Sequence, residues 1–91
     1  EGFTFGMAIE ALKLGQRVAR KGWNGKGMFI YLVPPGRYLP TTDTGMAIAL
    51  QQNDGLVPYR AYIAMKTVDG DVVPWLASQS DVLEEDWTIV S

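Results

Sequence analysis

The sequence predicts an α+β fold, a small antiparallel β-sheet with an N-terminal helix and a short C-terminal helix. Three observations carry this expectation. Phe5, Ala8, Ile9 and Leu12 recur at helical spacing behind Thr4. Several later runs of four to six residues are β-rich or alternate with period two, and Asp69-Gly70 joins two of them as a hairpin signal. No strand–helix–strand repeat suggests a parallel sheet. The 91 residues are expected to form one domain, residues 1–91.

Thr4 is placed to cap the first helix, Phe3 to fold back on Ala8, and Gly15 to end it. Residues 16–20 read as a short strand, with Val18 and Arg20 on one face and Arg17 and Ala19 on the other. Trp23-Asn24-Gly25-Lys26-Gly27 reads as a turn, and residues 28–33 as a central strand with two apolar faces. Pro34-Pro35-Gly36 stops it. Residues 37–39 suggest a short strand, with Asp43 or Thr44 as a helix cap. Residues 46–50 stay open between helical turn and strand. Beyond Pro58, residues 62–66 and 72–75 read as the hairpin strands. Ser78 or Ser80 caps a short helix running through Leu83 and Glu84, with Asp81 favouring its dipole, and Trp87 to Val90 closes the chain as a strand.

Composition excludes whole classes of chemistry. There is no Cys and no His, so neither a Ser–His nor a Cys–His nucleophile pair exists, and thiolate and imidazole zinc sites are absent with them. The acids lack EF-hand spacing. Asp69 is explained by its turn, Asp81 by its helix start and the Glu84–Asp86 run by a solvated face, so no carboxylate pair points to acid–base catalysis. No metal and no cofactor is expected. A net charge of −2 argues against a general nucleic-acid binder, and no apolar run approaches the roughly 20 residues of a membrane span. The charge is uneven: six basic groups against two acids give +4 over residues 1–40, and two against eight give −6 over residues 41–91. Chance, an anion-facing first half, or complementary halves of neighbouring subunits would each produce this. A chain this short, without disulfides, often gains stability by self-association.

The three tryptophans differ in context. Trp87 begins an apolar strand and reads as core. Trp75 follows Pro74 at a strand end, where its face stays open. Trp23 lies in a polar, Gly-rich turn, where burial inside its own subunit is hard. An exposed indole is a ligand platform or an interface anchor. Gly22, Gly25 and Gly27 form no dinucleotide fingerprint and no P-loop, yet Arg20, Lys21 and Lys26 flank them, and basic groups beside exposed N–H groups hold phosphate without a named motif. Asn24, Ser78 and Gln79 are suited to reading ring edges, and Asp81 to accepting ribose hydroxyls.

The runs ALKLGQRVARKGWNGKGMFIYLV and MKTVDGDVVPWLASQSDVLEEDW resemble the second family of small phage proteins that defeat the Thoeris bacterial defence. The resemblance extends from the first helix to Val90 and is weakest over residues 37–60. It implies a sponge and not an enzyme: a protein that binds a cyclic ADP-ribose isomer intact, so that the defence effector is never switched on. It further implies homotetramers with ligand pockets between subunits, action in the host bacterial cytoplasm, and in some members a separate site for cyclic dinucleotides. Carried onto this chain, Trp23, Asn24 and Gly25 are expected on one pocket wall and Trp75, Ser78, Gln79 and Asp81 on another. Arg20, Lys26 and Arg60 are candidates for the pyrophosphate. The alternatives are a cyclic dinucleotide as main ligand, or a structural phage protein whose tryptophans join subunits.

Overall fold

The computed structural model describes residues 2–23 and 26–90. The element order is α1 (Phe5–Lys13), β1 (Arg17–Arg20), β2 (Phe29–Val33), β3 (Gly36–Tyr38), α2 (Asp43–Ala49), β4 (Val57–Tyr59), β5 (Tyr62–Lys66), β6 (Val72–Pro74), α3 (Gln79–Leu83) and β7 (Trp87–Val90). Five strands form one antiparallel sheet in the order β6-β5-β2-β1-β7, while β3 and β4 pair separately. The expected α+β class is therefore the observed one, with β2 at the centre of its sheet.

Local chemistry places the first helix. The Thr4 hydroxyl accepts from the Met7 N–H at 3.2 Å. At the other end Gln16 N–H donates to Ala11 O and Gly15 N–H to Leu12 O, with Gly15 at φ 85°, a Schellman ending. Helix α1 lies across β1, β7 and β2, and its Ala8, Ala11 and Leu12 are buried against Val18, Ile30 and Trp87. The two alanines let the helix axis approach the sheet closely. Phe3 joins the sheet: its N–H and C=O both bond to Trp87, extending it at the β7 edge by one bridge.

The hairpin at the other edge closes as its sequence signal required. Gly70, at φ 97°, donates to Thr67 O; Thr67 N–H bonds Asp71 O and the Thr67 hydroxyl bonds the Asp71 carboxylate. Strand β6 is one residue shorter than expected and ends at Pro74, with Trp75 N–H still donating to Ile63 O.

Residues 36–59 form an arm. The strand β2 ends at Val33 before Pro34-Pro35, as expected, and Gly36 already begins β3, which pairs with β4 in the register Gly36↔Tyr59, Arg37↔Pro58, Tyr38↔Val57. The undecided residues 46–50 belong mostly to α2, whose cap is Thr42, accepting from Gly45 N–H at 2.9 Å, and not Asp43 or Thr44. Helix α2 packs on β4, and Ala49 and Val57 are the buried apolar residues of these two elements. The Arg37 guanidinium forks onto both oxygens of Asp54, and that ion pair holds the Asp54 carboxyl down at about 2. Neither α2 nor the β3–β4 ribbon packs broadly on the five-stranded sheet. The molecule is accordingly long, 49 × 26 × 25 Å, with a radius of gyration of 15.8 Å, against about 12 Å for a compact chain of this size.

Candidate functional site

All three indoles meet at one end of the core face. Trp23, Trp75 and Trp87 lie edge-on to one another, with centroids 5.4 Å (Trp23–Trp87), 6.0 Å (Trp75–Trp87) and 6.4 Å (Trp23–Trp75) apart, and Phe5 completes the group. Edge-to-face packing sets the positive ring edge on the negative ring face. Trp87 is fully buried, as its sequence context predicted. Trp23 is half-buried, contrary to the expectation that its Gly-rich turn would keep it out of its own subunit. The Trp23 ring lies back against Trp87. Trp75 is also half-buried, with one side open to a cleft.

That cleft has a volume of about 440 Å³ and is lined by Tyr59, Tyr62, Ile63, Val72, Val73, Pro74 and Trp75. It lies where the arm leaves the sheet, because Tyr59 ends β4 and Tyr62 begins β5. Its size falls in the range of small-molecule pockets, and its walls are aromatic and apolar. A second groove of about 400 Å³ is lined by Tyr38, Leu39, Thr41, Tyr59 and Tyr62, so the same two tyrosines stand between the two hollows. Tyr38 meets Tyr59 edge-on at 5.6 Å. Sequence reasoning missed Tyr59 and Tyr62. The signal was present as two tyrosines flanking Arg60, but the pairing of β3 with β4 that places them is a long-range event.

The predicted polar residues divide into two sets. Arg20, Ser78 and Asp81 come together with Trp23. Arg20 Nη1 donates to Asp81 Oδ1 at 2.9 Å, and its Nε and Nη2 fork onto Asp86 at 2.8 and 3.3 Å. Asp81 Oδ1 also accepts from Trp23 Nε1 at 3.4 Å, while Oδ2 accepts from Ser78 N–H at 2.9 Å, forming with the Ser78 hydroxyl the capping box of α3. The Asp81 backbone carbonyl accepts from Trp87 Nε1 at 2.8 Å. Gln79 lies one residue further along α3, beside a hollow of about 260 Å³ lined by Ala77, Ser78, Val82 and Leu83. Lys26 and Arg60 are exposed, and Arg60 lies between the two cleft tyrosines in sequence. Asn24 and Gly25 lie outside the described residues. Among the described residues no group of His, Cys, Asp and Glu side chains gathers as a metal site, and no helix is long and apolar enough to cross a membrane.

The charges of this network are strongly biased. Burial pushes the Asp81 carboxyl up, but the Ser78 N–H, Arg20, the Ser78 side chain and Trp23 together bring it below the ordinary value. Asp86 is lowered chiefly by Arg20, against desolvation, with a further lowering from the Gly22 N–H. Both carboxyls therefore titrate lower in the folded than in the unfolded chain. Their stabilisation is complete above the unfolded value of roughly 3.9 and is lost as pH falls through the lowered folded values. The melting temperature is expected to stay level from pH 7 to about 5 and to fall progressively below about pH 4. Asp81→Asn should blunt that acid limb in a calorimetric pH series.

A family model described as a Thoeris anti-defense 2-like domain matches residues 3–90. A protein of Bacillus phage SP01 named Thoeris anti-defense 2 is 41% identical over 88 residues, covering 97% of this chain and 94% of its own.

Proposed function

The chain belongs to the Thoeris anti-defense 2-like family, and we propose that it counters that defence by sequestering a cyclic ADP-ribose-type signal without cleaving it. The observation that carries this reading is the aromatic cleft of about 440 Å³ bounded by Trp75, Tyr59 and Tyr62. A purine base stacks on such faces at about 1–3 kcal/mol per base. Exposed Arg60, next in sequence to the cleft residue Tyr59, and exposed Lys26 are the predicted cations left to meet a pyrophosphate, because Arg20 is already held by two carboxylates. A chain with no Cys and no His offers the ligand no thiolate or imidazole to attack it.

A sponge must outcompete a receptor, and nanomolar binding requires about −12 kcal/mol. One open cleft is too shallow for that, so the reading includes enclosure by a second copy within a homotetramer acting in the host cytoplasm. The arm supports it: Tyr38, Leu39, Met46, Leu50 and Tyr59 are all about half or more exposed, and a small protein seldom leaves such a run of apolar side chains to solvent. The sheet face opposite α1 supports it too, since Phe29, Tyr31 and Val33 stand there with no helix over them among the described residues.

Calorimetry with a purified glycocyclic ADP-ribose isomer is expected to show tight binding, with unchanged ligand recovered after heat denaturation. Recovery of a cleaved ligand would identify an enzyme, and preferential binding of a cyclic dinucleotide would move the reading to that ligand class. Trp75→Ala is expected to weaken binding by about 10- to 100-fold through the lost stack.

A further inference from the structure

Arg20 and Asp81 suit a ligand when read singly, as a cation for pyrophosphate and a carboxylate for ribose. Their surroundings assign them differently. Arg20 has only 13% of its side chain exposed, with a carboxylate on each side of its guanidinium. One positive charge between two negative ones leaves the cluster at a net −1, which repels a phosphate. Asp81 is 7% exposed, and three donors already converge on its two oxygens: Arg20, the Trp23 indole and the Ser78 N–H. A ribose hydroxyl has no comparable access to it.

What the cluster does hold is aromatic. Trp23 belongs to no helix or strand, and its backbone N–H donates to Arg20 O at 3.2 Å. Its ring plane is set by Trp75 and Trp87 and by the Nε1–Asp81 bond. The same aspartate holds a second indole through its main chain, by Trp87 Nε1. Asp86 ties the turn from the other side: its Oδ2 accepts from Gly22 N–H at 3.0 Å while the carboxylate receives the Arg20 fork. A Cβ on Gly22 would stand 2.9 Å from Asp86 Oδ2, so that carboxylate would have to move aside.

We propose that Asp81, Arg20 and Asp86 are positioning residues, which fix the Trp23 indole against Trp75 and so preorganise the aromatic wall, and that none of the three touches the ligand. The effect on affinity rests on the nucleotide-binding reading above; the effect on the indoles does not. A rigid wall spares the ligand the cost of ordering it.

The test uses the full chain with Asp81→Asn, Arg20→Gln and Gly22→Ala, the last keeping every charge while displacing the Asp86 carboxylate. Near-ultraviolet circular dichroism of the ligand-free protein reads the coupling among the indoles, and far-ultraviolet dichroism with thermal melting checks the fold. Calorimetry with the glycocyclic isomer at several salt concentrations reads the contact. Gly22→Ala and Asp81→Asn are expected to alter the near-ultraviolet tryptophan bands with secondary structure retained. Affinity should fall about tenfold, and Arg20→Gln should leave the salt dependence of binding as in the parent. Unaltered tryptophan bands in Gly22→Ala and Asp81→Asn would overturn the proposal. So would lost affinity in Arg20→Gln with a shallower salt dependence, since that marks a direct phosphate contact. If the parent binds no cyclic ADP-ribose, the sponge reading fails, while the ligand-free spectra still decide the positioning role.

Discussion

Trp87→Ala is expected to destabilise the chain by about 4 kcal/mol, enough to leave a domain of this size largely unfolded near physiological temperature. Trp87 is fully buried and sits where α1, β1 and the aromatic group meet. Its removal opens a cavity that two flanking tryptophans cannot fill without losing their own edge contacts. It also strips the Asp81 carbonyl of its indole donor, and an unsatisfied buried acceptor adds to the loss. Urea unfolding followed by far-ultraviolet dichroism measures this directly. A loss under about 1 kcal/mol would mean that the indole is not the keystone of the core.

Arg20→Ala is expected to cost about 3 kcal/mol, more than any surface ion pair would. The reason is what remains: Asp81, with 10% of its side chain exposed, and Asp86, at 28%, face each other without their shared cation. The destabilisation should be largest near neutral pH and shrink as the carboxyls protonate below about pH 4. By contrast Arg37→Ala removes an exposed pair whose partner stays solvated, and it should trim the melting temperature only slightly. Denaturant unfolding of both variants at pH 7 and pH 3.5 separates the two cases.

Much of the fold was legible because its signals are local. Thr4 and Gly15 bracket α1, Ser78 and Asp81 open α3, and Gly70 turns the last hairpin, each through bonds to residues at most five positions away. The arm was not legible, because β3 and β4 are separated by α2 and pair through contacts that no short window contains. The site divides along the same line. The tryptophans were visible as residue types, but Trp23 was expected outside its own subunit because its neighbours in sequence are polar, while its neighbours in space are Trp75, Trp87 and Asp81. Arg20 drew attention as a cation, and only its position beside residues 81 and 86, some 60 positions along the chain, shows its charge to be already matched.

The margins of the five-stranded sheet limit how copies of this chain can join. At one margin β6 bonds inward through Trp75 N–H, so by alternation the nitrogen of Pro74 points outward, where it has no hydrogen to give. At the other, the outward N–H and C=O of Trp87 are both taken by Phe3. Neither rim offers a full ladder to a foreign strand, so ribbons running uninterrupted through several molecules, and the fibres that grow from them, are disfavoured from the outset.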